Sequence, residues 1–455
     1  MALLPKTLTA SKRKLCVFKL GVLLMAEPLL HLGCAPGAQT APVWNYGGAN
    51  EPVISWPVLD ESGNVYVLTG SGASPRPTGL LYDVRAVELV SLDPSGTKRW
   101  SFPVFGPTTV GAPVTRPSVH QGDVWVFYRG KLLRISGSGE LRWELQDLPA
   151  KLSGPGTPLE WTDTSQTALD SAGNFYFMPF VEDGAMKRQE LWSISHDGHI
   201  RWRSTPTLPG STGGEDDGPP PSQTQAPLIV PNGVIIVGCT TCEAGRAGLA
   251  QIDPETGIPA PLSSEEVSTY YAVFGNLRWD GSAVRYERYG ELMSHWLTRL
   301  DGFTMPQSYE MALATSSGPI WIADELNQNG RFVLNWGHKA VPLDFGTLSS
   351  ELGSGFEKTA TIQALAATEP PAVLVRVSTN ETSLLALFDL TGDLSWSHSG
   401  VSPESTPVPV IHDGRIFYIE DNPRRLVSEA VPVVGIASGT WPILGGTVHN
   451  TRAVE

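Results

Sequence analysis

Residues 63–100 contain a phrase that returns along the chain: Gly63-Asn64-Val65-Tyr66-Val67, then Leu92-Asp93-Pro94-Ser95-Gly96, then Trp100. Alternating apolar side chains in the first part are typical of a strand that packs on both faces. The Asp-x-x-Gly part is typical of a hairpin turn, because Gly accepts a positive φ and Asp hydrogen-bonds to its own backbone. The Trp supplies a large apolar surface that suits a seam between small sheets.

This sequence pattern recurs often enough along the chain to identify a repeat protein. Two more copies are Gly122-Asp123-Val124-Trp125-Val126 with Trp143, and Gly173-Asn174-Phe175-Tyr176-Phe177 with Trp202. Eight β-rich runs share a leading turn residue, and they begin at Gly63, Gly122, Gly173, Gly233, Gly281, Gly318, Pro371 and Gly414. Repetition at this spacing predicts supersecondary units that are stacked or arranged radially.

The two ends of the repeat complement each other. The last β-rich run, at Gly414, has no Asp-x-x-Gly turn and Trp after it. An additional strand-like run that belongs to no unit, Pro42-Val43-Trp44-Asn45-Tyr46, precedes the first repeat unit. Four-stranded units repeated radially form a β-propeller, which protects its strand edges by closing on itself. We therefore predict an all-β chain with a single β-propeller over residues 42–451. It would have seven or eight four-stranded blades, with eight favoured, and the N-terminal strand would close the last blade.

These residues also resemble a known family. The pattern Val-Tyr-Val…Leu-Asp-x-x-Gly-x-x-x-Trp is similar to the blade repeat of pyrroloquinoline-quinone-type (PQQ-like) propellers. The segment Trp441–Thr451 resembles the Trp-Pro-x-x-Gly-Gly…Asn-Thr segment of that superfamily. The resemblance implies an eight-bladed propeller, most similar to the non-enzymatic bacterial lipoprotein branch that includes the outer-membrane assembly lipoprotein.

Residues 1–33 differ in kind from the rest of the chain. Basic residues up to Lys19 precede a short apolar stretch at 20–26 and a second one that ends at Gly33. This order is typical of an export signal, and the apolar part is too short for a spanning helix of about 20 residues. We predict an export signal over 1–33 and a polar spacer over 34–41.

The end of this leader, Leu32-Gly33-Cys34, resembles the lipobox of bacterial lipoproteins. In that family the Cys sulfur carries diacylglycerol and the leader is cut just before it, so the resemblance implies a lipid on Cys34. The chain departs from the family at His31, where Leu is usual, and at Glu27-Pro28, which interrupts the apolar core. Two alternatives remain open: export with cleavage near Ala35–Gly37 and no lipid, or a chain that is not exported.

Apart from Cys16 in the predicted leader and Cys34, the chain has two cysteines, in the order Cys239-Thr240-Thr241-Cys242. In an oxidising compartment such a pair forms a disulfide, which is the favoured prediction. Free thiols are a second interpretation. A metal site would need two further ligands and a thioredoxin-like role would need a helix start, whereas a strand-like run leads into Cys239.

The remaining residues show no reaction centre. The net charge of -14 disfavours a nucleic-acid partner, which needs clustered Lys and Arg. Quinone-dependent oxidation is disfavoured because that site needs adjacent cysteines, and Cys239 and Cys242 are not adjacent. We find no nucleophile, zinc-protease or P-loop motif, and the Asp60 and Asp170 segments offer too few oxygens for calcium. No catalytic, cofactor-binding or metal-binding residue is predicted.

Two functions follow as hypotheses. The first is an exported, lipid-anchored, non-catalytic propeller that binds a protein partner at the cell envelope, in the periplasm or on the cell-surface side of the outer membrane. The second is an exported carbohydrate-binding module, hydrolase or lyase that uses the central face of the propeller, since the chain has 14 Trp. We further expect exposed loops at Ser71–Asp83 and at Leu208–Gln225, and solvent-facing side chains at His196 and His199.

Overall fold

The structure is a computed structural model of the 455-residue chain. It describes residues 44–75, 82–110, 116–128, 130–148, 167–183, 186–204, 227–229, 235–242, 246–261, 275–279, 283–288, 295–299, 311–315, 318–324, 332–336, 339–346, 348, 352, 360–379, 383–399, 401, 409–420 and 423–436. All of them belong to the second of the two compact units of the chain, Pro36–Glu455. The predicted signal, spacer and Trp441–Thr451 segment lie outside the described residues.

The described residues form eight principal antiparallel sheets that follow one another along the chain. The first four are sheet 1, with β2 (Val58–Leu59), β3 (Val65–Ser71), β6 (Ala86–Leu92) and β7 (Lys98–Phe105); sheet 2, with β9 (Ser118–His120), β10 (Asp123–Tyr128), β11 (Lys131–Ile135) and β12 (Leu141–Leu145); sheet 3, with β13 (Thr167–Leu169), β14 (Phe175–Phe177), β17 (Leu191–Ile194) and β18 (Ile200–Ser204); and sheet 4, with β19 (Leu228–Ile229), β20 (Ile235–Cys242), β21 (Arg246–Ile252) and β22 (Pro259–Pro261). The others are sheet 5, with β23 (Gly275–Trp279), β24 (Ala283–Arg288) and β25 (His295–Arg299); sheet 6, with β26 (Met311–Thr315), β27 (Gly318–Asp324), β28 (Phe332–Trp336) and β29 (Lys339–Pro342); sheet 7, with β30 (Thr361–Glu369), β31 (Ala372–Ser378), β32 (Ser383–Asp389), β33 (Leu394–Ser399) and, beside β30, β37 (Gly435–Ile436); and sheet 8, with β34 (Val410–His412), β35 (Arg415–Glu420), β36 (Arg425–Ala430) and β1 (Trp44–Gly47).

Each β-rich run of the repeat forms a strand, as the sequence predicts, and the structure makes it the second strand of its sheet. The runs correspond in order to β3, β10, β14, β20, β24, β27, β31 and β35. Within the sheets whose side chains are described, these strands are buried almost throughout; β10, for example, is buried at all six positions. Second strands lie between two neighbours of their own sheet and between two neighbouring sheets, so both faces need apolar side chains.

The N-terminal strand closes the ring. Strand β1 pairs antiparallel with β36, with Trp44 opposite Ser428 and Gly47 opposite Arg425. The outermost strand of sheet 8 is therefore the first strand of the chain, while the other three come from the last part of the repeat. This confirms the predicted closure, and together with the series of four-stranded sheets it makes the fold a β-propeller. A blade number of eight stays a prediction.

The antiparallel order gives the ring two unlike ends. The first and second strands of a sheet, and the third and fourth, are joined by tight turns at one end, which we call the turn end. The second and third strands, and the fourth strand and the next sheet, are joined at the other end, which we call the loop end. Two small additional sheets belong to connections at the loop end: β4 (Ser74–Pro75), β5 (Tyr82–Val84) and β8 (Thr108–Val110), and the hairpin of β15 (Phe180–Asp183) with β16 (Met186–Gln189).

One of the two predicted loops contains paired strand residues. The sequence predicts an exposed loop at Ser71–Asp83, and within this segment Ser74–Pro75 pairs with Tyr82 and Asp83 in the small three-stranded sheet. The two-residue strand β4 is too short to be stable by itself. It forms because its partner β5 also pairs with β8. The Leu208–Gln225 loop lies outside the described residues.

The hydrophobic core lies in the seams between neighbouring sheets. One cluster joins the second-strand face of sheet 1, including Tyr66 and Leu68, to Val124 and Val126 of sheet 2. The opposite face of sheet 1, with Val65 and Val67, belongs to a cluster that continues through sheets 8 and 7. Fully burying one such aliphatic side chain contributes about 1.5–3 kcal/mol before conformational entropy is counted.

Candidate functional site at the two ends of the ring

A tryptophan of the outermost strand fastens each of four sheets to the next sheet. The indole Nε1 donates a hydrogen bond to a carbonyl in the turn between the third and fourth strands of that next sheet. The pairs are Trp44 to Pro94 at 3.2 Å, Trp100 to Gly137 at 2.9 Å, Trp143 to His196 at 2.9 Å and Trp202 to Pro254 at 2.9 Å. The repeated Trp therefore packs into a seam, as the sequence predicts.

The glycine of each receiving turn makes room for the indole ring. A Cβ added at Gly96 would lie 2.5 Å from the ring of Trp44, and one added at Gly257 would lie 2.6 Å from Trp202. Both glycines also have a positive φ, of 85° and 71°. Two independent requirements therefore select Gly at these positions: the turn conformation and the contact with the indole.

Asp60 and Asp170 organise equivalent turns at the turn end. Oδ1 of Asp60 accepts hydrogen bonds from the backbone N–H groups of Ser62 and Asn64, and Oδ2 accepts from Asn64 Nδ2 and the Tyr66 hydroxyl. Asp170 makes the same four bonds two repeat units later, at 2.7–2.9 Å. Four internal donors occupy each carboxylate, so the hairpin-turn interpretation of these segments is confirmed.

An arginine of the outermost strand completes each of these networks. Arg99 donates to the Ser91 hydroxyl at 3.0 Å, and Arg201 to that of Ser193 at 3.3 Å. Burial, and then the charge of Asp60, raises the pKa of Tyr66 to about 12. Burial likewise raises the pKa of Tyr176, with Asp170 as the second cause. These phenols are held protonated as hydrogen-bond donors, which suits a structural role and not proton transfer near neutral pH.

The seam between sheets 7 and 8 is built differently. Trp396 is the repeat tryptophan of sheet 7 and is 7% exposed, but its Nε1 has no hydrogen-bond partner among the described residues. The ring of His398 stacks on it, with an interplanar angle of 14°. His398 Nδ1 lies 3.2 Å from Oε1 of Glu429, and the Tyr418 hydroxyl donates to the same oxygen at 2.8 Å.

Closure explains this difference. In the four seams described above, the receiving carbonyl belongs to the turn between the third and fourth strands. Sheet 8 has no such turn, because its fourth strand is β1 from the other end of the chain. The repeat pattern does not predict the cluster of His398, Tyr418 and Glu429. One signal for it is present in the sequence: Tyr418 comes four residues after its leading Gly414, whereas Tyr66 comes three residues after Gly63. Because of this shift of one residue, Tyr418 points to the other face of its sheet.

The chain after β36 crosses the turn end in place of that turn. Residues 431–436, which we call the strap, exchange backbone hydrogen bonds with Gly414 of sheet 8, and Val434 N–H donates to the carbonyl of Glu369 in sheet 7 at 2.7 Å. The strap then ends as β37, which pairs with β30. It joins the turn ends of sheets 7 and 8, whose shared seam has no tryptophan–turn hydrogen bond among the described residues.

A tryptophan and an arginine of neighbouring sheets contact each other near the inner surface of the ring. Trp56 precedes β2 and Arg116 precedes β9, so they lie at the innermost strands of neighbouring sheets. The Arg116 guanidinium lies 5.8 Å from the centroid of the Trp56 ring, in cation–π geometry. Arg116 is 5% exposed. Neither residue belongs to the repeat, so the repeat pattern does not identify this pair.

The predicted site residues divide into three groups. Cys34 lies outside the described residues. Cys239 and Cys242 both lie in β20, with a register irregularity between them. Three steps of extended strand span about 10 Å, whereas the Cα atoms of a disulfide lie within about 7 Å. The pairing would thus require the strand to tighten at this irregularity, and the disulfide stays a prediction.

The turn side chains face water as expected. His199 is 82% exposed and Asp197 is 56% exposed. The Ser195 hydroxyl lowers the pKa of Asp197, and backbone N–H groups lower the pKa of Asp253. Within the described part of the chain, no three His, Cys, Asp or Glu side chains group as metal ligands, and no helix has the length and apolarity needed to cross a bilayer.

Comparison with known proteins gives structural likeness only. No family model matches the chain, and no curated protein matches it. The Pan2 WD40 domain of Neurospora crassa is 7% identical, with 88% of this chain and 100% of that chain covered and a TM-score of 0.38. A quinonprotein alcohol dehydrogenase-like protein of Bacteroides thetaiotaomicron is 10% identical, with 85% and 69% covered and a TM-score of 0.36. The propeller assignment rests on the sheet topology and closure.

Proposed function

We propose that the chain is an exported, lipid-anchored propeller without catalytic activity that binds a protein partner at the cell envelope. The leader ending in Leu32-Gly33-Cys34 supports the anchor. The observation that carries the non-catalytic part is the hydrogen bonding of Asp60 and Asp170, whose four internal bonds each leave no free carboxylate oxygen for acid–base chemistry or for a cation. The resemblance to the lipoprotein branch of the PQQ-like propellers points the same way.

The loop end is the proposed partner-binding end. The connections from one sheet to the next are made there and are longer than the tight turns, and this end also carries the two additional small sheets. Loops on a rigid scaffold tolerate variation and commonly carry binding functions.

The experiment has two parts. Labelling of the full chain with a palmitate analogue should mark the wild type and not Cys34→Ser, because the thiol is the acceptor. Crosslinking in intact cells, with a photoreactive residue at Asn50 or Gln146 of the loop end, should recover a protein partner that a probe at Glu61 of the turn end does not. Recovery of a polysaccharide alone, or of no loop-end partner, would contradict the scaffold function.

A second candidate, carbohydrate binding at the inner surface, is favoured by the Trp56 and Arg116 pair. The half-buried indole of Trp56 offers an aromatic face on which a sugar ring can stack, while the buried guanidinium of Arg116 lies beside that indole. Glycan-array binding that is lost in Trp56→Ala, and kept in Trp100→Phe, would support this candidate over the first.

A further inference from the structure

We propose that Cys239 and Cys242 form a reversible thiol–disulfide switch, which locks the hairpin of β20 and β21 in a bulged register. The hairpin lies at the loop end of sheet 4, where the second strand passes into the third. The switch itself rests on the register of this hairpin. Only its effect on partner binding rests on the function proposed above, which places the partner at the loop end.

The register of the hairpin changes between the two cysteines. Strand β20 pairs with β21 in one continuous register up to Cys239, which lies opposite Gly248, but Cys242 lies opposite Arg246. Three steps of β20 therefore face only two steps of β21, which is the arrangement of a β-bulge. The hairpins of β10 with β11 and of β31 with β32, joined at the same end of the ring, keep one register throughout.

The bulge places both cysteines on one face of sheet 4. In a regular strand, residues three apart occupy opposite faces. Residues opposite each other in an antiparallel pair share a face, and so do Gly248 and Arg246, which are two apart on β21. Cys239 and Cys242 thus share a face. Ile252 lies on the same face by the same count, and it belongs to the cluster that sheet 4 forms with sheet 3.

The bulge also shortens the distance between the two positions. The two steps of β21 that face them span about 6.6–6.8 Å. The Cα atoms of a disulfide usually lie about 4.4–6.8 Å apart, so the bulged register brings the cysteines to the upper end of this range. A regular strand would hold them about 10 Å apart on opposite faces. The disulfide is therefore compatible with the bulged register and not with the regular one.

These two registers give the hairpin two alternative states. The bulged register leaves three residues, 243–245, between Cys242 and its partner Arg246. A register continued without the bulge would pair Cys242 with Gly245 and leave two residues between them. Hairpin connections of two and of three residues are both common. Oxidation selects the bulged state, and reduction releases the hairpin to exchange between the two.

Two physical reasons make this disulfide a switch and not a permanent staple. The bond closes a loop with only two residues between the cysteines, so it restricts the unfolded chain little and adds little stability. Its Cα spacing lies at the limit of the usual range, which makes the bond easier to reduce. Disulfides of this kind are the labile and regulatory ones, whereas relaxed structural disulfides resist reduction.

The oxidant that the switch needs is a small-molecule disulfide, for which oxidised glutathione is the probe. The thiolate of one cysteine attacks a sulfur of that disulfide, and a mixed disulfide forms as one small thiol leaves. The second cysteine attacks the mixed disulfide and expels the other small thiol. Two cysteine thiols are oxidised to one S–S bond, the small disulfide is reduced to two thiols, and the two protons end on these thiols.

The experiment exposes the full chain to oxidised and then to reduced glutathione. Peptide mapping by mass spectrometry should find the peptide with Cys239 and Cys242 lighter by two hydrogens after oxidation, and restored after reduction. Hydrogen exchange of residues 238–249 should be several-fold slower in the oxidised form, because the locked hairpin opens less often. The hairpin of β31 with β32 is the internal reference and should not change.

Matched variants assign the effect to this pair of cysteines. Cys239→Ser with Cys242→Ser keeps the size of both side chains and removes the bond, so residues 238–249 should exchange as in the reduced wild type under both conditions. Cys16→Ser changes a cysteine of the predicted leader and should respond to glutathione as the wild type does. Slow exchange in the double variant under both conditions would show that the register does not depend on the disulfide, and would overturn the switch.

The other outcomes separate the switch from the proposed function. Free thiols or mixed disulfides alone after oxidation would overturn the switch, and so would a disulfide that excess reduced glutathione does not open. Crosslinking of a partner from Gln146 should give a higher yield in the oxidised form, because a locked hairpin is preorganised. Equal yields would overturn the effect on binding. Loss of the partner in both forms would contradict the proposed function and leave the switch standing.

Discussion

Two seams of the ring, between sheets 3 and 4 and between sheets 7 and 8, each contain a tryptophan at the same position of the repeat. The surroundings of the two indoles differ. Trp202 donates to the carbonyl of Pro254 and its ring covers Gly257. Trp396 is equally buried, yet its Nε1 finds no acceptor among the described residues, and His398 stacks on it instead. The difference teaches that ring closure has a local structural cost: the sheet completed by the N-terminal strand cannot offer the turn on which the preceding sheet relies.

Removing the indole should have the largest effect. Trp202→Ala deletes a ring that is 9% exposed together with its hydrogen bond, and we expect the free energy of unfolding to fall by about 3–5 kcal/mol. Chemical denaturation followed by circular dichroism measures the change. Ile200→Ala, in the same strand but at an exposed position, is the control and should change stability far less. Equal effects of the two would mean that Trp202 does not hold the seam.

The glycine under the ring comes next. Gly96→Ala places a Cβ 2.5 Å from Trp44 and also strains a positive φ, whereas Gly122→Ala strains φ with no atom within 4 Å. Strain alone costs about 1–2 kcal/mol, and overpacking adds about 1–3 kcal/mol. The loss of stability should therefore be clearly greater for Gly96→Ala. Two equal midpoints of denaturation would contradict the contact between sheets 8 and 1.

The polar cluster of the closing seam gives the third test. His398→Phe removes one neighbour of Glu429, which is 1% exposed, and should destabilise the protein by about 1–3 kcal/mol. The triple variant His398→Phe with Tyr418→Phe and Glu429→Leu removes all three polar groups and should recover much of that loss, since a buried polar cluster can be replaced by apolar side chains at little cost. A triple variant less stable than the single one would show that the cluster does more than satisfy its own polar atoms.

The indole N–H itself separates the two seams. Trp202→Phe keeps an aromatic ring but loses the hydrogen bond to Pro254, at a net cost of about 1 kcal/mol beyond the change in packing. Trp396→Phe removes an N–H without a partner among the described residues and should lack this component. The measurement is the difference between the two variants in unfolding free energy. A larger loss for Trp396→Phe would indicate an acceptor at that seam.

Alkaline pH should weaken the fold through the buried phenols. Burial raises the pKa of Tyr66 from 10 to about 12, so its neutral form is favoured in the folded state. The stability contributed by this group is complete below pH 10 and is lost as the pH rises toward 12, because the unfolded chain ionises first. Absorbance of tyrosinate at 295 nm should therefore rise together with unfolding, and Tyr66→Phe should make the decline in this pH range shallower.

The repeat made much of this fold predictable from sequence. One strand in each repeat unit, the turn aspartates, the seam tryptophans and the closure by residues around Trp44 all follow from patterns within one repeat unit or from a comparison of units. The small sheet around Ser74–Pro75 did not, because strands of two or three residues carry no periodic signal and exist only through their pairing with β8.

Sequence alone determined the local chemistry of this protein: which segments become strands, where Gly must turn the chain, and that a leader resembling an export signal precedes the ring. Tertiary structure alone decided which carbonyl receives each indole, that the closing seam holds His398 against Tyr418 and Glu429, and that Trp56 meets Arg116. The reason is distance along the chain. Turn and strand preferences act over a few neighbouring residues, whereas a seam joins residues that become neighbours only when the ring has closed.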